Sequence, residues 1–68
     1  MVKNRSIQFN GADVTIGDIT RPTGEVVSIT TEGTEIRIRF RDGSSDVGGS
    51  IKDLFTLRDI CPWAAVAI

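Results

Sequence analysis

Alternation is strongest in the second half of residues 24–41, where Ile36, Ile38 and Phe40 interleave with Arg37, Arg39 and Arg41. Successive side chains of a strand point to opposite faces. The run therefore predicts a half-buried strand with an apolar inner face and an arginine outer face. The preceding arm carries Val26, Val27, Ile29 and Thr30, β-branched residues that suit a pleated surface. Gly33 between the arms can take the positive φ of a tight turn, so the two arms read as a β-hairpin. A two-residue loop at Glu32-Gly33 sets Ile29 against Ile36, Val27 against Ile38, Ser28 against Arg37 and Thr30 against Glu35. The expected inner face is Val27, Ile29, Ile36, Ile38 and Phe40. This register leaves Glu25 opposite Phe40. A bulge near Val26-Val27 would correct that, since one added residue turns the later side chains over.

Shorter alternations flank this hairpin. Ser6 to Phe9 and Ala12 to Ile16 alternate around Asn10-Gly11, a strong short-range hairpin signal. A two-residue loop there pairs Phe9 with Ala12, Ile7 with Val14 and Gln8 with Asp13. Residues 17–24 hold Gly17, Asp18, Pro22 and Gly24 and read as a loop. Residues 42–49 are the most turn-rich part of the chain. Ser50 and Asp53 have the spacing of a capping box, which predicts one short 3₁₀ or helical turn near 51–55. Residues 56–60 alternate and read as a strand. The last eight residues, 61–68, carry no charge, and periodicity leaves a strand, a short helix and an exchanged arm all open.

Length then limits the picture. Sixty-eight residues make a single domain, 1–68, whose core supplies only about 3–5 kcal/mol. Cys61 is the only cysteine, so no disulfide adds to it; oligomerisation is one way to bury more area. Eight basic and nine acidic residues give a net charge of −1, without the basic excess of a non-specific nucleic-acid binder. No run approaches the ~20 apolar residues of a membrane span. Residues 1–5 are followed by no apolar stretch of the kind a signal peptide needs. A cytoplasmic protein with no membrane partner is expected.

From Gly17 on, Gly24, Val26, Ile29, Ile36, Ile38, Phe40, Asp42 and Gly43 fall at the spacings of a small barrel. Over about residues 13–60 the chain resembles the SH3-like barrels of the Tudor and KOW type. That resemblance implies an architecture and a class of binding modules. The pattern departs from it in three places. Asn10-Gly11 adds a strand before the barrel's usual start. The fourth strand would fall in residues 44–49, which are poor strand sequence. With no Tyr, and with most of Phe9, Phe40, Phe55 and Trp63 expected in the core, an aromatic cage for methyl-lysine is missing. The fold class expected is all-β: a small SH3-like barrel, or a strongly bent antiparallel meander, of five to six strands.

Two candidate surfaces follow. Arg37, Arg39 and Arg41 would stand about 6.6–7 Å apart along one strand face, close to a phosphate spacing. They form either an electrostatic groove for nucleic acid or a solvated sheet face paired with Glu25, Glu32 and Glu35, the plainer reading. Trp63, Val66 and Ile68 form either a self-association surface or the closure of the domain's own core. The chain has no His, which removes imidazole catalysis and histidine metal sites, so Cys61 reads as a buried apolar thiol. Polar spacing in residues 42–53 lacks the glycine and glutamate of an EF-hand. No catalytic residue, cofactor or metal ligand is expected. The sequence points to a binding module whose partner is a protein or a second copy, in a homo-oligomer. A nucleic-acid module on the arginine face is the alternative, and an oligomeric enzyme with a site at a symmetry axis a third reading.

Overall fold

The computed structural model describes residues 6–67. Ile68, and residues 1–5 with the reading of their leader, lie outside the described residues. The elements are β1 Ile7–Asn10, β2 Asp13–Ile16, β3 Ile19–Pro22, β4 Val26–Glu32, β5 Glu35–Phe40, β6 Ser45–Gly48, α1 Ile51–Ile60 and β7 Ala65–Ala67. A 3₁₀ turn at Thr23–Glu25 joins β3 to β4. One sheet is the meander β1-β2-β3; the other runs β6-β5-β4-β7. The chain is mostly β, as its patterning predicts, but the two sheets do not close into a barrel. Among the described residues the strands number seven rather than five or six. The antiparallel meander is also interrupted, because β7 lies parallel to β4. Among the described residues, no helix is long and apolar enough to cross a membrane.

Three two-residue turns share one device. Asn10 faces Asp13, Ile16 faces Ile19 and Glu32 faces Glu35, leaving Gly11-Ala12, Gly17-Asp18 and Gly33-Thr34 as the loops. Each glycine has φ of 64° or 65°, and no described non-glycine residue has positive φ. A glycine at the first central position alone is the requirement of a type II′ hairpin turn. The sequence reading placed both of its glycines second, so its pairs are displaced by two residues. Phe9 faces Val14 rather than Ala12, and Ile29 faces Ile38 rather than Ile36. A displacement of two keeps every side chain on its face, which is why apolar pairing did not expose it.

The same turn converts most of the expected loop at 17–24 into β3, which pairs with β2 from Ile19 to Pro22. Pro22 is tolerated because β3 is an edge strand and needs no N–H on its open side. The expected bulge is present: Val26 faces Phe40, and the next pair is Ser28 with Arg39. It turns Val26 into the core and Val27 out to 36% exposure, so Val27 leaves the inner face and Val26 replaces it. β6 forms in the poor strand sequence of residues 44–49, antiparallel to β5. Its register is set by the tight turn before it, where the Phe40 N–H donates to the Ser44 carbonyl at 2.8 Å.

The expected strand at 56–60 is instead the second half of α1. The capping box is made, with the Ser50 N–H donating to Asp53 Oδ2 at 2.8 Å. Leu54, Leu57 and Cys61 then recur at the spacing of one helical face, and all three are buried. Alternation over five residues is too short to outweigh that period once a cap starts the helix. The core joins this face to Val14 and Ile16 of β2, Val26 and Ile29 of β4, and Ile36, Ile38 and Phe40 of β5. Gly49 fits where α1 meets β1, since a Cβ there would lie 2.6 Å from Ile7 Cδ1. Thr23 is buried, and its N–H and hydroxyl both donate to the Ala12 carbonyl, at 2.8 and 2.9 Å. This ties the first turn of the small sheet to the start of β4.

Candidate functional site

Residues paired across neighbouring strands share a face. The outer face of the larger sheet therefore has one row of Ser45, Arg39, Ser28 and Ala65, and another of Val47, Arg37, Thr30 and Ala67. Small side chains surround two arginines, whose surroundings differ. Arg37 is engaged on three sides: Nε donates to Glu32 Oε1 at 3.0 Å, Nη2 to Glu32 Oε2 at 3.2 Å and Nη1 to Ser45 Oγ at 2.8 Å. The fork holds the Glu32 carboxyl below its ordinary pKa, chiefly by hydrogen bonding. Arg39 is exposed, and its side chain has no hydrogen bond or ion pair among the described residues. Arg41, just past β5, donates from Nη2 to the Gly24 carbonyl at 3.3 Å and pairs with no acid among the described residues.

The Arg39 end of this face also carries two exposed large apolar side chains, Val27 and Trp63. The bulge sets Val27 and Ser28 opposite Arg39. Trp63 is 55% exposed, yet its Nε1–H donates to the Val26 carbonyl at 2.9 Å. That bond fixes the indole beside the bulge with most of its surface open. Of the other tail residues, Val66 is half-buried against the core, facing Ile29 through the β7–β4 pairing. The structure therefore brings Arg39, Val27 and Trp63 to one end of the sheet, and places Val66 behind it. Phe40 is the one aromatic side chain that is fully buried; Phe55 and Trp63 are both exposed, against the expectation that most aromatics lie in the core.

A second arginine cluster escaped the sequence reading because it depends on β3. Arg21 Nη2 lies 3.0 Å from both Glu25 Oε1 and Asp42 Oδ2, and Nη1 donates to Ser44 Oγ at 3.1 Å. Its guanidinium sits 4.1 Å from the centre of the Phe40 ring. Asp42 also accepts from the Ser44 hydroxyl at 2.6 Å and the Ser44 N–H at 2.9 Å. These Ser44 bonds, more than the Arg21 charge, hold the Asp42 carboxyl below its ordinary pKa. Of the oxygens that resembled a cation loop, those of Asp42 and Ser44 are spent within the turn and on Arg21, and Asp53 accepts from the Ser50 N–H at the start of α1. The Cys61 thiol is buried against the Thr23 carbonyl at 3.7 Å, and burial pushes its pKa up. It has neither the exposure nor the lowered pKa of a reactive cysteine.

The described residues enclose no pocket; the arrangement presents a cation beside apolar groups at one end of the sheet. No family model matches the chain, and no curated protein or solved structure matches it either.

Proposed function

We propose that this chain is a small binding module that works by protein–protein contact and associates with itself. The observation that carries the reading is Trp63, exposed over 55% of its surface while its indole N–H is fixed to the Val26 carbonyl. A held, open tryptophan loses little freedom on binding and offers a large apolar area, the properties of an interface anchor. Val27, turned out by the bulge, extends that area. Light scattering across a concentration series tests the reading. The mass should rise above that of a monomer and return to it in Trp63→Ser. A wild-type mass that stays monomeric at about 1 mM, a concentration that reveals even weak affinities, would end the proposal.

We also infer that the strand order from β2 to α1 derives from an SH3-like barrel that has opened at the β3–β4 junction. The bulged β4–β5 hairpin followed by the Asp42-Gly43 turn supports this. An experimental structure in which β4 and β5 showed no barrel curvature would count against it.

A further inference from the structure

We infer that the self-association is head-to-tail: the β2–β3 turn of one copy, led by Asp18 and Ile19, docks on the Arg39 end of another. This rests on the self-association reading above and names the surfaces it uses. Charge accounting within the chain leads to it. Arg21 is neutralised by Glu25 and Asp42, and Arg37 by Glu32. Arg39 and Arg41 meet no acid among the described residues, and Arg39 lies opposite the bulge that turns out Val27, with exposed Trp63 bonded beside it. This surface calls for a carboxylate carried next to an apolar side chain.

The chain itself holds such a group. Asp53 caps α1, and Asp46 is engaged. Glu35 lies in the β4–β5 hairpin end opposite Glu32. Asp59 lies beside Arg58, which already covers the Phe55 ring at 5.5 Å. Asp13 faces Asn10 and Pro22, with no exposed large apolar side chain among them. Asp18 differs from all of these: it occupies the tip of a two-residue turn, and the next residue, Ile19, is 41% exposed. An acid and an apolar group at one protruding tip match a cation and an apolar shelf at the other site.

Asp18 and Arg39 make no contact within one copy, so joining them links different patches of successive copies. A head-to-tail contact of this kind closes into a ring or extends as a filament, whereas a two-fold dimer would need the turn and the Arg39 end of both copies to meet in one interface. A turn on a sheet end is a small contact, at the weak and transient end of protein interfaces, and its charge pair is screened by salt.

Sedimentation velocity of the wild-type chain and two charge reversals tests this. Wild type should grow in mass with concentration and shrink when salt is raised from about 0.05 M to about 0.5 M. Asp18→Arg and Arg39→Glu should each weaken association by about tenfold or more, since each sets like charges face to face. An equal mixture of the two variants should associate again, because one contact keeps the Asp18–Arg39 pair and the next joins the two reversed charges. The double variant should associate again. An oligomer that both reversals leave unchanged would overturn the head-to-tail contact while leaving self-association standing. A wild-type chain that is monomeric at about 1 mM would overturn both. If Asp18→Arg melts early, Asp18→Asn keeps the turn and carries the same test with a smaller loss.

Discussion

Arg21 and Arg39 sit at opposite extremes of what an arginine can do on this fold. Arg21 reaches from the edge of the small sheet, covers the Phe40 ring and bonds Glu25 in the turn before β4 and Asp42 and Ser44 in the turn after β5. Arg39 stands on the open face of the larger sheet with no partner among the described residues. One holds two sheets together; the other leaves a full charge beside an exposed tryptophan. The lesson is that an arginine stripe has no single role. Its members are sorted by which acids the fold brings to them.

The largest expected effect comes from removing the floor under Arg21. Phe40→Ala deletes a fully buried ring and should cost about 3–5 kcal/mol, comparable to the whole stability of a domain this small. The variant should show no cooperative thermal transition by circular dichroism. A cooperative melt near the wild-type temperature would mean that the Arg21 corner, not the ring, carries the junction.

Next in size is the corner itself. Arg21→Met keeps an apolar stem over Phe40 but removes the charge, and it should lower the melting temperature clearly more than Arg39→Met does. Acid sharpens the contrast. The folded Asp42 carboxyl titrates below its ordinary value of 3.8, so as pH falls the unfolded chain takes up a proton first. Its contribution is complete above that value and is lost as pH falls through the lowered folded value. Glu32, lowered by Arg37, follows the same sign. Urea melts of wild type between about pH 5 and pH 2 should therefore fall more steeply than those of Asp42→Asn. Parallel curves would show that the Asp42 bonds contribute nothing to folding.

Trp63→Phe should act more weakly. It leaves an aromatic surface but removes the donor to the Val26 carbonyl, a hydrogen bond worth about 1 kcal/mol. The measurement is the urea midpoint at unchanged slope. A midpoint equal to wild type would mean that solvent satisfies the bulge carbonyl equally well, and that the indole is not held.

What could be read from the sequence divides along the same line. The inner positions Ile29, Ile36, Ile38 and Phe40 were legible because period-two alternation depends on face alone. The bulge was legible because Glu25 could not face Phe40. The registers were missed by two residues because such a displacement preserves every face; only the positions of Gly11 and Gly33 within their turns decide it. β3 was missed because Pro22 and the flanking glycines mark loops, although Gly17-Asp18 is itself a Gly-first hairpin turn. The start of α1 was legible in the Ser50–Asp53 capping box, but its second half was missed because Leu54, Leu57 and Cys61 give a helical period across a boundary that local alternation had drawn at Thr56. At the candidate site, the stripe could be listed but not sorted. The Glu32–Arg37 pair follows from hairpin register, and the Arg21 cluster from a strand the pattern did not show.

The smallest expected effect on stability is at Arg39, and it is the one that decides the comparison. Arg39→Met removes an exposed charge with no partner among the described residues, so its melting curve should fall within about 0.5 kcal/mol of wild type. The unfolded chain loses the same solvated charge, and no carboxylate is left uncompensated in the fold. If Arg39 is the acceptor of another copy's turn, association should weaken although folding does not change. Arg21→Met should do the reverse, lowering stability while the remaining folded fraction associates normally. A measured loss of stability on Arg39→Met as large as that on Arg21→Met would put the two arginines in one class, and the open end of the sheet would then be structural.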